Sequence, residues 1–134
     1  MIRVGPLKLK AQLLCGEEGA MGPGKADLLE AIDRDGSISA AGRALGMSYR
    51  RTWLLVDQMN RCWRDRLVET LTGGGRERGA RLTAMGRDVL GRYRALEAAL
   101  AAQSAAHVEA MAALMREAPL EEQPARELAE QKMA

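Results

Sequence analysis

Arginine is the residue type in this sequence whose chemistry and spacing are most informative. Residues 43–94 hold twelve arginines and five acidic residues, a net charge of +7, whereas residues 1–42 (five basic, six acidic) carry −1 and residues 95–134 (three basic, seven acidic) carry −4. A guanidinium group donates paired hydrogen bonds to a phosphate or to the edge of a guanine. The segment therefore favours a surface that binds nucleic acid, and arginine enrichment by a GC-rich genome is the alternative explanation. Its arginines are at positions 43, 50, 51, 61, 64, 66, 76, 78, 81, 87, 92 and 94.

Patterns typical of catalysis or metal binding are not found in the sequence. Cys15 and Cys62 are far apart without a CxxC spacing, and the single histidine, His107, has no neighbour at a metal-ligand spacing. The glycine-rich stretch 73–79 lacks the GK[ST] of a phosphate-binding loop. No nucleophile has an adjacent base. We expect no enzymatic activity, no cofactor, no metal and no disulfide scaffold.

Length and composition indicate one helical domain. The chain has 134 residues, of which 47% are hydrophobic, 28% are charged and only four are aromatic. Alanine, the strongest helix former, occurs 23 times, so the core is expected to be aliphatic and helical. No apolar run reaches the roughly 18 residues of a membrane span, and the first ten residues lack the features of a secretion signal. These observations predict a cytoplasmic, reduced protein.

The elements that position the arginines begin with a strand and three helices. Alternating leucines and lysines predict an edge strand over 7–14. Helix 1 is expected at about 24–34 and a short helix 2 at 40–45, started by Ser37 or Ser39. Ser48 is placed to cap a third helix only a few residues later, so helices 2 and 3 turn sharply against each other. This spacing predicts a helix-turn-helix.

A rotation of 100° per residue divides helix 3 into an inner and an outer face. Trp53 and Val56 are interpreted as core residues, and the Tyr49 ring is expected to pack inward while its hydroxyl reaches a phosphate. The predicted inner face consists of Tyr49, Thr52, Trp53, Leu55, Val56, Met59, Asn60 and Trp63. The predicted outer face consists of Arg50, Arg51, Leu54, Asp57, Gln58 and Arg61.

Beyond helix 3, the sequence predicts a hairpin and a long helix. Short strands at 67–70 and 80–82 flank the glycine-rich stretch, which indicates a wing that carries Arg76 and Arg78 at its tip. A merely solvent-exposed hairpin is the alternative. Thr83 can start a helix running to about residue 118, whose apolar stripe is longer than the domain core and therefore suggests a dimer. We expect His107 on that stripe to be packed or at the interface, and residues 119–134 to be a flexible acidic tail. The stripe is formed by Leu82, Met85, Val89, Tyr93, Leu96, Leu100, His107, Met111 and Leu114.

The motifs GSISAAGRALGMSYRRTW and RLTAMG, within residues 5–100, closely resemble the N-terminal DNA-binding domain of ModE, the molybdate-responsive regulator family. RLTAMG also occurs in other winged-helix regulators, including the LysR type. The resemblance implies a mainly α, dimeric winged helix-turn-helix with a small β-hairpin wing. Because the chain ends where the oxyanion-binding domains of that family would begin, we expect this chain not to bind molybdate itself.

Carried over to matching positions, the resemblance places Ser48 and Tyr49 on phosphate and directs Arg50, Arg51 and Gln58 toward bases. The full predicted DNA-binding set is Arg43, Ser48, Tyr49, Arg50, Arg51, Gln58, Arg76, Arg78 and Arg81.

The leading hypothesis is a sequence-specific transcriptional regulator that binds a pseudo-palindromic operator on double-stranded DNA as a dimer. Its DNA-binding domain with the dimerisation helix would occupy residues 1–118. The alternative is a winged-helix module that holds a protein partner without specific DNA binding. The arginine-rich outer face of helix 3 argues for the first.

Overall fold

A computed structural model describes residues 1–71 and 79–122. Over these residues the chain is a mixed α/β protein with four helices and three separate two-stranded antiparallel sheets. In this part of the chain, no helix has the length and hydropathy that a membrane span requires. The elements are β1 (Ile2–Val4), β2 (Leu7–Leu9), β3 (Leu13–Cys15), β4 (Glu18–Met21), α1 (Pro23–Asp35), α2 (Ile38–Ala44), α3 (Tyr49–Cys62), β5 (Val68–Thr70), β6 (Ala80–Leu82) and α4 (Ala84–Ala112).

The N-terminal segment forms two hairpins rather than the single edge strand predicted at 7–14. β1 pairs with β2, and β3 pairs with β4. Gly5 and Gly16 occupy the two turns with φ of 54° and 62°, a region that glycine enters without steric cost. The apolar positions Leu7, Leu9, Ala11 and Leu13 keep a period of two across the break between β2 and β3, so the pattern does not reveal that the chain turns. The prediction of a mainly α chain with one hairpin therefore understated the β content.

The helices α1, α2 and α3 begin and end where local signals place them. α1 starts at Pro23 and stops at Gly36, whose φ of 68° lies in the left-handed region. Ser37 Oγ accepts from the Ala40 N–H, so α2 starts two residues earlier than predicted. Ser48 Oγ accepts from the Arg51 N–H at 3.1 Å, which confirms the predicted start of α3. The strands predicted at 67–70 and 80–82 are present as β5 and β6.

The hydrophobic core lies between α1, α3, the β5–β6 pair and the first half of α4. Its members are almost completely shielded from water, and their burial is the main favourable contribution to folding. The largest fully buried side chains are Met21, Leu28, Leu29, Ile32, Thr52, Met59, Leu67 and Val68.

The helix α4 is shorter than predicted, and in its second half the buried residue is not one of the predicted stripe. It ends at Ala112, before the predicted end at residue 118. Val89 and Tyr93 are buried as predicted, but in the second half Val108 is buried while His107 and Met111 are exposed. Val108 packs beside the β1–β2 turn, so the chain's own N-terminal hairpin covers a face that we had expected to be an overhang. His107 is therefore not packed within the chain, contrary to one of the two predicted roles.

The helices α2 and α3 approach each other closely at Gly42 of α2. A Cβ at Gly42 would overlap Oγ1 of Thr52 and lie 2.8 Å from its Cγ2. Thr52 is buried, and its Oγ1 donates to the Ser48 carbonyl at 2.8 Å. Only glycine at position 42 lets α2 and α3 take this spacing without displacing Thr52.

Replacing Gly42 by alanine should lower the free energy of unfolding by about 1–3 kcal/mol, because overpacking outweighs the gain in helix propensity. Chemical denaturation of purified protein measures the change. Gly91→Ala is the matched control, since a Cβ at that exposed position of α4 meets no atom within 4 Å. The Gly91→Ala substitution should raise the free energy of unfolding by up to about 1 kcal/mol. Equal effects of the two substitutions would contradict the proposed close packing of α2 on α3.

Candidate nucleic-acid interface

The candidate interface is centred on the outer face of α3, a helix of 14 residues. Its inner face packs through buried Thr52, Val56 and Met59. Leu55, Asn60 and Trp63 are half-buried on the same side, as the rotation analysis predicted. The helix is therefore held from behind, and its opposite face is left to solvent.

Two aromatic residues predicted to face inward lie instead on the exposed flank of α3. Tyr49 is 69% exposed and Trp53 is 36% exposed. Their rings pack on each other, with centroids 6.1 Å apart and planes tilted by 57°. Residues four apart are neighbours on a helix surface, which brings the two rings together. The prediction that Trp53 is a core residue and that the Tyr49 ring packs inward was wrong.

The arginines at the start of α3 are exposed and unpaired within the described ranges. Arg50 and Arg51 make no ion pair with residues 1–71 or 79–122. They lie two and three residues after Ser48, in the first turn of α3, where the free N–H groups and the helix dipole favour an anion. Gln58, from the same predicted set, is half-buried further along α3.

Lys25 adds positive charge near Arg51, and Lys10 adds positive charge near Lys25. Burial lowers the pKa of Lys25, and the neighbouring positive charges of Arg51 and Lys10 lower it further, against the opposing effects of Cys62 and Glu18. Lys25 lies in the first turn of α1 and Lys10 follows β2. No linear pattern reveals them, because they belong to a segment whose net charge is −1.

Most other described arginines of the basic segment form ion pairs within the chain. Arg94 of α4 contacts Asp27 at 2.7 Å, Glu30 at 2.8 Å and Glu97 at 2.8 Å, and these hydrogen bonds raise its pKa despite partial burial. The remaining pairs are Arg61 with Glu18 and Asp57, Arg81 with Glu69, Arg87 with Asp33, and Arg92 with Asp88. Arg64 and Arg66, just after α3, are exposed and form no ion pair with residues 1–71 or 79–122. The positive charge available to a polyanion is therefore smaller than the net value of +7 indicates, and it lies near both ends of α3.

The other members of the predicted DNA-binding set are dispersed around this centre. Arg43 is exposed in the last turn of α2, just before the chain turns into α3. Arg81 lies on β6 opposite Glu69 and contacts that carboxylate at 2.6 Å. Arg76 and Arg78 lie outside the described residues.

Asn60 fixes the β5–β6 hairpin relative to α3. Its Oδ1 accepts from the N–H groups of Leu67 and Val68, at 2.9 and 3.1 Å, and its Nδ2 donates to the Val68 carbonyl at 3.0 Å. All three bonds bind the start of β5, so a single half-buried amide determines where the hairpin leaves the helix.

Within the described residues, no group of three or more His, Cys, Asp or Glu side chains is placed to hold a metal ion. Their buried polar side chains, Ser37 and Thr52, are both hydrogen-bonded.

Comparison with known proteins finds relatives over about half of the chain. It is 43% identical over 70 residues to the molybdenum transport protein ModE of Azotobacter vinelandii, covering 52% of this chain and 26% of that protein. It is 42% identical over 81 residues to the molybdenum-pterin-binding protein MopB of Rhodobacter capsulatus, covering 60% of this chain and 30% of that protein. With the DNA-binding transcriptional dual regulator ModE of Escherichia coli K12 the identity is 37% over 71 residues, covering 53% of this chain and 27% of the relative.

The predicted resemblance to ModE is confirmed over this matched part of the chain. The chain spans less than a third of the length of these relatives. No protein-family model matches it.

Substituting Asn60 by alanine should lower the free energy of unfolding by about 2–3 kcal/mol, because half-buried backbone groups of Leu67 and Val68 lose their partners. Urea denaturation provides the measurement. Gln58→Ala is the matched control, since this half-buried amide on the same helix has no hydrogen bond among the described residues, and we expect a change within about 0.5 kcal/mol. A loss in N60A no larger than in Q58A would show that the amide does not hold the hairpin.

Proposed function

We propose that this chain is a sequence-specific DNA-binding transcriptional regulator with a winged helix-turn-helix fold. The observation that carries the proposal is the exposed pair Arg50 and Arg51 at the start of α3, which has no ion pair among the described residues and has Lys25 near Arg51. The similarity to proteins named as ModE regulators supports it. In this reading α2 and α3 form the helix-turn-helix, and β5 and β6 are the base of the wing.

The helix α3 has the features of a recognition helix. The major groove of B-DNA is about 12 Å wide and accepts one α-helix, whose N-terminal residues contact base edges. Arg50 and Arg51 lie in that first turn, and the inner residues Thr52, Val56 and Met59 are anchored in the core. We assign Arg50 and Arg51 to bases, with Gln58 as a further candidate at the edge of the buried face.

Phosphate contacts would surround the recognition helix. Ser48 and Tyr49 occupy its N-terminal end, where the backbone N–H groups favour anions. Lys25 and Lys10 add positive charge on the side of Arg51, and Arg43 and Arg81 lie on the flanking elements. Such contacts orient a protein on the duplex without reading its sequence. Arg76 and Arg78 remain predicted contacts of the wing tip.

We further propose that two copies bind a pseudo-palindrome, with half-sites about 34 Å apart. The supporting observation is the apolar surface beyond the part of α4 that the N-terminal hairpin covers. Met111 is 57% exposed and Leu114 is 89% exposed. A second copy of the chain would bury these side chains.

Selection of random duplex DNA, followed by binding measurements on variants, tests the proposal. Arg50→Ala should weaken binding to the selected site by about 1–3 kcal/mol and relax preference at one position in each half-site. Lys25→Ala should instead weaken binding to all sequences alike. It should also reduce the steepness of the plot of log binding constant against log salt concentration by about 1.

Arg116→Ala is the matched control, because it removes one exposed positive charge far from α3 in the sequence and beyond the end of α4. If R50A changes affinity and preference no more than R116A does, the base-reading role is wrong. Retention of a protein partner at high salt without any duplex binding would favour the interaction module instead.

The names of the ModE and Mop relatives also raise the question of molybdate. We expect no saturable heat when millimolar molybdate is titrated into this chain by calorimetry. A tetrahedral oxyanion site needs several converging donors, whereas the buried polar side chains in the described part of the chain already have partners. Saturable binding with one molybdate per chain would contradict this expectation and assign the chain a direct sensing role.

A further inference from the structure

The fold brings the two cysteines together. Cys15 is the last residue of β3 and Cys62 is the last residue of α3. Both line one open surface cavity, together with Leu13, Leu14, Ala20 and Trp63. Both thiols are free in this structure. Their separation in the sequence had argued against a disulfide framework, but the packing of the β3–β4 hairpin against the end of α3 places the thiols next to each other.

Contacts on both sides of Cys62 hold this arrangement. Arg61 donates two hydrogen bonds to the Glu18 carboxylate, at 2.9 and 3.2 Å, and Glu18 is the strand partner of Cys15. Trp63 Nε1 donates to the Ala20 carbonyl at 3.1 Å. The hairpin is thus attached to α3 through the residue before Cys62 and the residue after it. The position of Cys15 relative to Cys62 follows from that attachment.

The two thiols differ in accessibility. Cys15 is exposed, whereas Cys62 is half-buried, with its Sγ 3.9 Å from Oε2 of Glu18. Burial and the adjacent Cys15 thiol raise the pKa of Cys62, and the Glu18 carboxylate contributes in the same direction. An oxidant from solvent therefore reaches Cys15 first, and Cys62 is placed to react with the oxidised product.

We propose that Cys15 and Cys62 form a reversible disulfide in response to peroxide, a covalent link between the β3–β4 hairpin and the end of α3. In the first step the Cys15 sulfur attacks hydrogen peroxide, the O–O bond breaks, and Cys15 sulfenic acid and water form. In the second step the Cys62 sulfur attacks the Cys15 sulfur, the S–O bond breaks, and the disulfide and a second water form. The two thiols lose two electrons and two protons, and the peroxide is reduced to two waters.

The disulfide would raise the stability of the domain and leave the exposed arginines at the start of α3 unchanged. The closed loop contains α1, α2 and nearly all of α3, so the disulfide restricts the unfolded chain strongly. The exposed start of α3, with Arg50 and Arg51, lies about three helical turns from Cys62, at 3.6 residues per turn. Oxidation is therefore detectable without any DNA-binding measurement, and its outcome is independent of the function proposed above.

The test treats the reduced full chain with stoichiometric hydrogen peroxide and follows it by intact mass, peptide mapping and thermal unfolding. We expect an intramolecular Cys15–Cys62 peptide link and the loss of two hydrogens per chain. The midpoint of unfolding should rise by about 5–15 °C and return after reduction with dithiothreitol. Cys15→Ser, at an exposed position, should abolish both the link and the shift, and Cys62→Ser serves as the reciprocal variant.

Three results would overturn the proposal. They are oxygen addition without a cross-linked peptide, a link found only between two chains, and a rise in the midpoint that persists in Cys15→Ser.

Discussion

The close contact between Gly42 and Thr52 is the constraint on which the presentation of α3 depends. Because position 42 has no side chain, Thr52 fits against α2 and its hydroxyl bonds to the Ser48 carbonyl one turn earlier. Ser48 in turn caps the helix through the Arg51 N–H. The first turn of α3 is therefore tied to α2 by packing and to its own cap by hydrogen bonds. A helix held in this way can offer its outer residues in one orientation.

The second half of α3 organises the β elements. Asn60 binds the start of β5 through three hydrogen bonds, while Arg61 and Trp63 bind the β3–β4 hairpin. None of these strands pairs with a strand of another hairpin. Isolated two-stranded hairpins are marginally stable in water, so their attachment to α3 supplies what the missing sheet neighbours would otherwise provide. The same helix thus positions the base of the proposed wing and the pair of cysteines.

Intramolecular ion pairs decide which cations remain free for a partner. Arg94 of α4 joins α1 through Asp27 and Glu30 and also contacts Glu97 of its own helix, and Arg87 adds a second link to Asp33 of α1. These exposed or half-exposed pairs contribute little to stability individually. Their effect on the surface is larger, because they neutralise cations on α4, whereas Arg50, Arg51, Arg64 and Arg66 near the ends of α3 have no ion pair among the described residues. The number of arginines in the sequence does not distinguish those that are ion-paired within the chain from those that are not.

Features that depend on near neighbours are predictable from the sequence. The approximate bounds of α1, the cap at Ser48, the buried residues at the centre of α3 and the β5–β6 strands follow from local hydrogen bonding and from helical or strand periodicity, whereas the sequence does not decide between Ser37 and Ser39 as the cap of α2. The exposed Arg50 and Arg51 follow from the same periodicity. Other features are non-local: the split of the N-terminal segment into two hairpins, the cover that the β1–β2 hairpin places on Val108, the exposure of Trp53, the proximity of Lys25 to Arg51, and the meeting of Cys15 with Cys62. Each depends on which distant surface packs against a given residue, and the spacing of residues along one chain does not contain that information.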